Sequence, residues 1–335
     1  MSKSHELLRV CWLQDKRLGH LTKVEGAIKA LGFHYELEVE EIEVRWRPRF
    51  LRTCASVLPR TYLKRILATS YNKKSNLVIS AGGATEWPNA VLAKRLNVPN
   101  IYFGSNRTCQ EKDFWILPRF DKETDRVLSF DLSPSKVDPA GALKAARAEL
   151  PHLTGRYWTV LLGGNCKGCR WTDHDWRMMT KQIIEEAMKA KVKLLVTSSP
   201  RTGVRAENIC KNLLAQSGVL AKGIWFTKQH LETNFSLLAL LGAGERVIVT
   251  EDSATMVNEA VLAGKPVVTF SPFKIQLLKK QEDMLTLLHT KKHIYRLSRG
   301  DFSFSNIPNN GWNLVSCDWH SAFGRQLKTK MEQYG

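Results

Sequence analysis

The sequence predicts an α/β protein made of two similar halves, each a parallel sheet wrapped by helices. Three observations carry this reading. Short apolar runs alternate with stretches of helical period, which is the signature of strand–helix–strand units. The series breaks off near residue 121, crosses a mixed stretch bearing Pro134, Pro139 and Pro151, and starts afresh at Tyr157-Trp-Thr-Val-Leu-Leu. Finally, 335 residues at roughly 100–200 per domain make two domains. The expected division is an N-terminal domain over 1–152, a C-terminal domain over 153–317 and a closing helix over 318–335.

Taken in order, Leu7 to Leu13 reads as a buried strand, followed by a polar turn ending in Gly19-His20 and a helix over 21–31 stopped by Gly32. His34 to Val44 reads as a strand. A second unit runs from Asn76-Leu-Val-Ile-Ser through Gly82-Gly83 to a helix near 88–97 and the strand Ile101-Tyr-Phe-Gly. Together these make one Rossmann-like half. A short helix near 140–149 lies in the connecting stretch. The second half is predicted with helices near 173–190, 204–216, 234–242 and 254–263, and strands at Lys193 to Thr197, Gly223 to Phe226, Arg246 to Thr250 and Pro266 to Phe270.

Composition excludes several classes. Hydrophobic residues at 43% and charged residues at 24% are globular values, unlike those of a disordered chain, a collagen or a coiled coil. The longest nearly apolar stretch, Phe235 to Gly244, is about half the roughly 20 residues that a membrane span needs. The first residues carry Glu6 and Asp15 and lack the basic-then-apolar build of a signal peptide, so a soluble intracellular protein is expected. Fifty Lys and Arg against 32 Asp and Glu give a net charge of +18, a field that favours anionic partners. Both halves carry the excess, which points to a surface rather than a tail. The seven cysteines are odd in number and irregularly spaced, unlike a disulfide framework. Cys166 and Cys169 form a lone CxxC among Gly163, Gly164 and Gly168 without a second pair at zinc spacing.

In open α/β sheets, ligands sit outside the carboxyl ends of strands, so four loops draw attention. Asp15-Lys-Arg-Leu-Gly19-His20 offers a glycine for an unusual backbone angle and a histidine whose imidazole could take a proton from an acceptor hydroxyl. Leu161-Leu-Gly163-Gly164-Asn165 would let backbone approach a phosphate or base. Thr197-Ser198-Ser199-Pro-Arg201-Thr202 places hydroxyls and a guanidinium at a helix start, suited to a phosphate. Thr250-Glu-Asp252-Ser253-Ala-Thr255 also opens a helix, with Glu259 about two turns in, where a carboxylate could accept both ribose hydroxyls. Each loop also has a plain structural reading: turn glycines, Ser/Thr caps and a solvated glutamate.

A fifth feature differs in kind. No acidic residue occurs from Val44 to Thr85, where Arg45, Arg47, Arg49, Arg52, Arg60, Lys64 and Arg65 interleave with Trp46, Phe50, Leu51, Tyr62, Leu63 and Ile66. Arg45, Trp46, Arg47, Arg49 and Phe50 are expected to face an anionic membrane. Specific nucleic-acid binding is not expected.

On Gly19-His20, Asn76-Leu-Val-Ile-Ser-Ala-Gly-Gly, Leu162-Gly-Gly-Asn, Val196-Thr-Ser-Ser-Pro-Arg-Thr, Thr250-Glu-Asp-Ser-Ala-Thr-Met-Val-Asn-Glu-Ala and Gly264-Lys-Pro, the chain resembles the mitochondrial-fission ELM family, also described as GtrOC-type glycosyltransferases. The likeness implies a GT-B-like fold, two Rossmann-like domains facing a central cleft. It implies an acceptor mainly on the N-terminal half and a nucleotide-sugar donor mainly on the C-terminal half. The donor loops also resemble those of lipid-linked N-acetylglucosaminyl transferases, where a helix-borne glutamate, matched by Glu259, holds the ribose.

The expectation is therefore a metal-independent glycosyltransferase without a cofactor, peripheral on the cytoplasmic face of the membrane and acting on a lipid-linked or envelope saccharide. His20 is its base. Gly163, Gly164, Asn165, Ser198, Ser199, Arg201, Asp252, Ser253, Thr255 and Glu259 would bind the donor, and Gly19, Gly82 and Gly83 would form the acceptor-side loop. A nucleotide-sugar 2-epimerase of the same fold and a non-enzymatic membrane-surface adaptor remain open as alternatives.

Overall fold

The computed structural model describes residues 6–120, 123–226, 235–301, 303–304, 307–308 and 310–333. The chain forms two compact units, Met1–Lys136 with Asp318–Gly335, and Val137–Cys317.

The first unit opens with β1 (Leu7–Gln14), α1 (Leu18–Leu31) and β2 (Glu36–Glu43). Three single 3-10 turns follow, Arg49–Arg52, Ala55–Val57 and Arg60–Tyr62, and then the short α2 (Leu63–Ile66). The remainder is β3 (Leu77–Ala81), α3 (Glu86–Leu96), β4 (Asn100–Phe103) and a small parallel pair, β5 (Leu117–Arg119) with β6 (Val127–Ser129). The main sheet runs β2-β1-β3-β4, all parallel. All five residues of β3 are buried, as a strand covered on both faces must be. The glutamate-rich β2 lies at the edge, where charge discourages further pairing.

The second unit comprises α4 (Pro139–Glu149), β7 (Tyr157–Leu161), α5 (Asp173–Ala190), β8 (Lys193–Thr197), α6 (Gly203–Ser217), β9 (Leu220–Ile224), α7 (Leu237–Ala243), β10 (Arg246–Thr250), α8 (Ala254–Leu262), β11 (Val267–Phe270), α9 (Lys279–Thr290) and β12 (Ile294–Arg296). Its parallel sheet runs β12-β11-β10-β7-β8-β9. Local chemistry sets helix starts. The Thr172 hydroxyl accepts from the Asp175 amide at 3.1 Å while the Asp175 carboxylate accepts from the Thr172 amide at 2.8 Å, a capping box that begins α5.

α10 (Trp319–Glu332) returns to the first unit. Phe323, Leu327 and Met331 are buried in the core made by β1, α1 and β3, and Gly324 lets the helix lie directly against the Ala30 carbonyl. α4 lies in the second unit rather than with the N-terminal residues. It packs on α7, where Gly242 admits the Ala142 carbonyl. The strand expected at Gly223–Phe226 occupies Leu220–Ile224, and α9 with β12 extends the sheet beyond what the sequence suggested. The start expected for α7, residue 234, lies outside the described residues. Among the described residues, no helix is long and apolar enough to cross a membrane.

Strand order reverses beside the first strand of each unit. In the first unit the chain leaves β1 for β2 on one side and then adds β3 on the other; in the second it leaves β7 for β8 and later adds β10 on the opposite edge. The loops after β1 and β3 in the first unit, and separately those after β7 and β10 in the second, therefore lie at topological switch points, where such sheets bind ligands.

Candidate functional site

In the first unit, the loop after β1 brings His20 and Asp15 together. His20 Nδ1 lies 3.0 Å from both Asp15 oxygens. The Asp15 side chain is only 6% exposed and His20 28%. Burial pushes the Asp15 carboxyl up, but the hydrogen bond and charge of His20, with the amide and charge of Arg17, hold it below the usual range. With Nδ1–H donating to a carboxylate, the lone pair of the neutral imidazole is on Nε2. The ring lies against the turn after β3: Gly82 has φ of +87°, and a Cβ there would overlap the imidazole. Gly82 is thus required by backbone angle and by contact. Gly83 has open space, with Arg52 Nη2 4.0 Å from where its Cβ would stand. Gly19 does not form a turn, contrary to expectation. It is the second residue of α1, and Lys16 carries the positive φ of that loop, 61°.

Beside this pair is a cavity of about 960 Å³, lined in part by Asp15, Arg17, Glu43, Arg45, Arg47 and Arg52. Arg45 and Lys16 bind Glu43 at 2.6 and 2.9 Å, and their hydrogen bonds hold its carboxyl down at about 2. Trp46 corrects the sequence reading. It is 9% exposed, donates from its indole to the Ala84 carbonyl at 2.7 Å and packs on Trp87, so it is a wall of the unit and not a membrane-facing ring. Leu63 and Ile66 are likewise internal. Phe50 and Val57 are the large apolar side chains that this segment does expose. Arg45 and Arg47 are exposed, and the Arg49 side chain lies outside the described residues.

In the second unit, the loops after β7, β8 and β10 interlock. The Gly163 amide donates to Thr250 Oγ1 at 2.7 Å and the Gly164 amide to Asp252 Oδ2 at 2.9 Å. A Cβ on Gly163 would overlap Asp252 and Thr250, and one on Gly164 would overlap the Arg201 carbonyl. The glycines are therefore needed by neighbouring loops, where the sequence suggested an approaching ligand. Asp252 is fully buried and pairs with Arg201 Nη2 at 3.0 Å. Burial pushes its carboxyl above the usual range, against the pull of the Gly164 amide and Arg201. Its Oδ1 has no hydrogen-bond partner among the described residues.

Two expected donor ligands are engaged elsewhere. Ser198 Oγ donates to Glu207 at 2.5 Å and Ser199 Oγ donates to the Gly163 carbonyl at 3.0 Å. A hydroxyl has one hydrogen, so neither is left with one for a phosphate oxygen. Arg201 remains 38% exposed. Ser253 is the N-terminal cap residue of α8 without a side-chain cap bond; with Thr255 and Glu259 it is half-buried. The first amides of α8 have no helical acceptor, and the helix dipole favours an anion there. Asn165 is exposed; its Oδ1 accepts from the Trp171 amide at 2.7 Å.

Cys166 and Cys169 exchange both backbone hydrogen bonds across a tight turn, at 3.0 and 3.1 Å, and burial pushes both thiols up. That disfavours the reactive thiolate. The sequence reading gave no individual role to Asp15, Thr202 or Thr250, though they lie in the loops it singled out, and it missed Glu207. The partner of Asp15 is in its own loop, whereas Thr202, Thr250 and Glu207 act on residues that the fold brings near.

Two Rossmann-like units with such loops define a GT-B-like α/β protein. The structure of UDP-GlcNAc 2-epimerase from Methanocaldococcus jannaschii shares the fold at a TM-score of 0.57 and 12% identity, covering 96% of this chain and 99% of that one. A UDP-glucosyltransferase from Polygonum tinctorium matches at 0.49 and 11%, covering 99% and 94%. A glycosyl transferase of family 9 from Veillonella parvula matches at 0.44 and 13%, covering 99% of each. No curated protein matches the chain in sequence. The family described as mitochondrial fission ELM1 matches residues 18–309, and the chain belongs to that family.

Proposed function

We propose that the protein is a glycosyltransferase that moves a sugar from a nucleotide-sugar donor to a saccharide acceptor. The observation that carries this is the Asp15–His20 pair at the first unit's switch point, its Nε2 without a partner among the described residues. His20 Nε2 takes the proton of the acceptor hydroxyl as its oxygen bonds to the sugar's anomeric carbon. The bond from that carbon to the diphosphate breaks, and the charge departs with the nucleotide. Asp15 orients the imidazole and stabilises its protonated form. The α8 amides, Ser253, Thr255 and Arg201 receive the departing negative charge, while Glu259 accepts the ribose hydroxyls. No metal is needed in this scheme.

The acceptor in this reading is a lipid-linked or envelope saccharide met at the cytoplasmic membrane face. The exposed Phe50 and Val57, within a segment without acidic residues, support that location.

Thermal stabilisation by UDP, GDP, ADP and CMP tests the donor half, because a ligand of the folded state raises the melting temperature by mass action. A shift with one nucleotide, lost in Glu259→Ala, is the expected outcome. No shift with any of them at millimolar concentration refutes a donor site and leaves the adaptor. Conversion of a nucleotide sugar to its 2-epimer without acceptor would identify the isomerase instead.

A further inference from the structure

We infer that the arginine-lined cavity beside His20 binds a phosphate ester carried by the acceptor. The inference rests on the reading of His20 as the acceptor's base and adds the acceptor's chemical class.

Charge accounting within the first unit leads there. Six ionisable side chains line the cavity, Arg17, Arg45, Arg47 and Arg52 against Asp15 and Glu43. Both carboxylates are occupied: Glu43 by Arg45 and Lys16, Asp15 by His20, with Arg17 at 3.8 Å. Arg47 and Arg52 are left without a carboxylate partner among the described residues. The next acid along the chain after Glu43 is Glu86, which is 1% exposed and accepts from the Thr108 and Cys109 amides at 2.7 and 2.8 Å.

Guanidinium forks match phosphate oxygens in geometry and stay charged at any working pH. Several guanidinium groups on one cavity suit the multiple oxygens of a phosphate better than a lone carboxylate, which one fork satisfies. At about 960 Å³ the space has small-molecule size, and the indole bond of Trp46 to Ala84 fixes one wall. Asp15 lines the same cavity, and Arg52 Nη2 reaches the turn on which the His20 ring lies. A phosphate held by Arg47 and Arg52 would therefore keep the rest of its molecule near the wall that Asp15, the partner of His20, lends to the cavity.

Calorimetric titration of the full chain tests this with glucose 6-phosphate, with glucose, and with phosphatidylcholine vesicles containing phosphatidic acid. The expected result is phosphate-dependent binding, weakened about tenfold or more by Arg47→Ala or Arg52→Ala, abolished by both together, partly kept by the paired Lys substitutions and unchanged in Lys181→Ala on α5. Arg47 and Arg52 are exposed, so the variants should melt as the wild type does. Loss confined to the sugar phosphate marks a soluble acceptor; loss confined to vesicles marks a headgroup-borne one. Absence of phosphate-dependent binding to every probe, binding that survives the double variant, or equal weakening by Lys181→Ala overturns the inference. No nucleotide enters the experiment, so it can succeed where the transferase reading fails, and the reverse.

Discussion

At the scale of the residue, the Asp15–His20 pair concentrates the chemistry. His20→Ala should lower turnover about 10²–10⁴-fold, the usual contribution of a positioned base, with nucleotide affinity unchanged. Undiminished turnover would remove His20 from the mechanism. Asp15 also bears on stability. Its carboxyl is held below the value of an unfolded aspartate, so its contribution is full above an unfolded pKa of about 3.9 and is lost as pH falls through the lower folded value. Denaturant unfolding of wild type and Asp15→Asn at pH 7 and pH 3 checks the sign. Wild type should lead at pH 7 and the gap should shrink at pH 3; a constant gap would show that the carboxylate's charge is immaterial.

At the scale of the element, the loops after β7, β8 and β10 form one frame whose pin is Asp252. Asp252→Ala leaves the buried Gly164 amide without its acceptor, an expected loss of about 1–3 kcal/mol, together with weaker nucleotide binding as Arg201 loses its anchor. Thr172→Ala, at the start of α5, should cost about 1 kcal/mol and leave nucleotide binding alone. Equal nucleotide affinity in both variants would dissolve the frame as a functional unit. This scale also explains what the sequence could and could not disclose. β8 and β10 were legible to the residue, because Lys193–Thr197 and Arg246–Thr250 are apolar runs with polar flanks. α9 was not, since Met284, Leu285 and Leu288 are its only buried side chains and its first turn is charged. Gly163, Gly164, Ser198 and Ser199 lie in two loops that pack against each other and against the loop after β10. Which group each would touch depended on Thr250, Asp252 and Glu207, brought near by the sheet and not by adjacency. Trp46 misled for a similar reason: prolines at 48 and 59 break the basic segment into short turns, so it lacks the single amphipathic face that its composition suggests.

At the scale of the whole molecule, the two units differ in how the chain builds them. The second is continuous, whereas the first borrows α10 from beyond the second. Deleting residues 318–335 removes Phe323, Leu327 and Met331 from the first core; at roughly 1.5–3 kcal/mol for each buried apolar side chain, that loss is comparable to a domain's whole stability. Calorimetry should then show one transition greatly lowered and the other near its original temperature. Equal lowering of both would mean that α10 serves the entire chain.

The borrowed helix has a consequence for biosynthesis. Chains leave the ribosome from the N-terminus, and domains generally fold as units as they emerge. Here the segment that emerges first must wait for residues 318–335, which follow the whole of the second unit in the chain, while the segment 137–317 has all its parts beforehand. Folding therefore completes in the reverse of translation order, and a nascent first unit with an uncovered apolar face is the species that chaperones would meet.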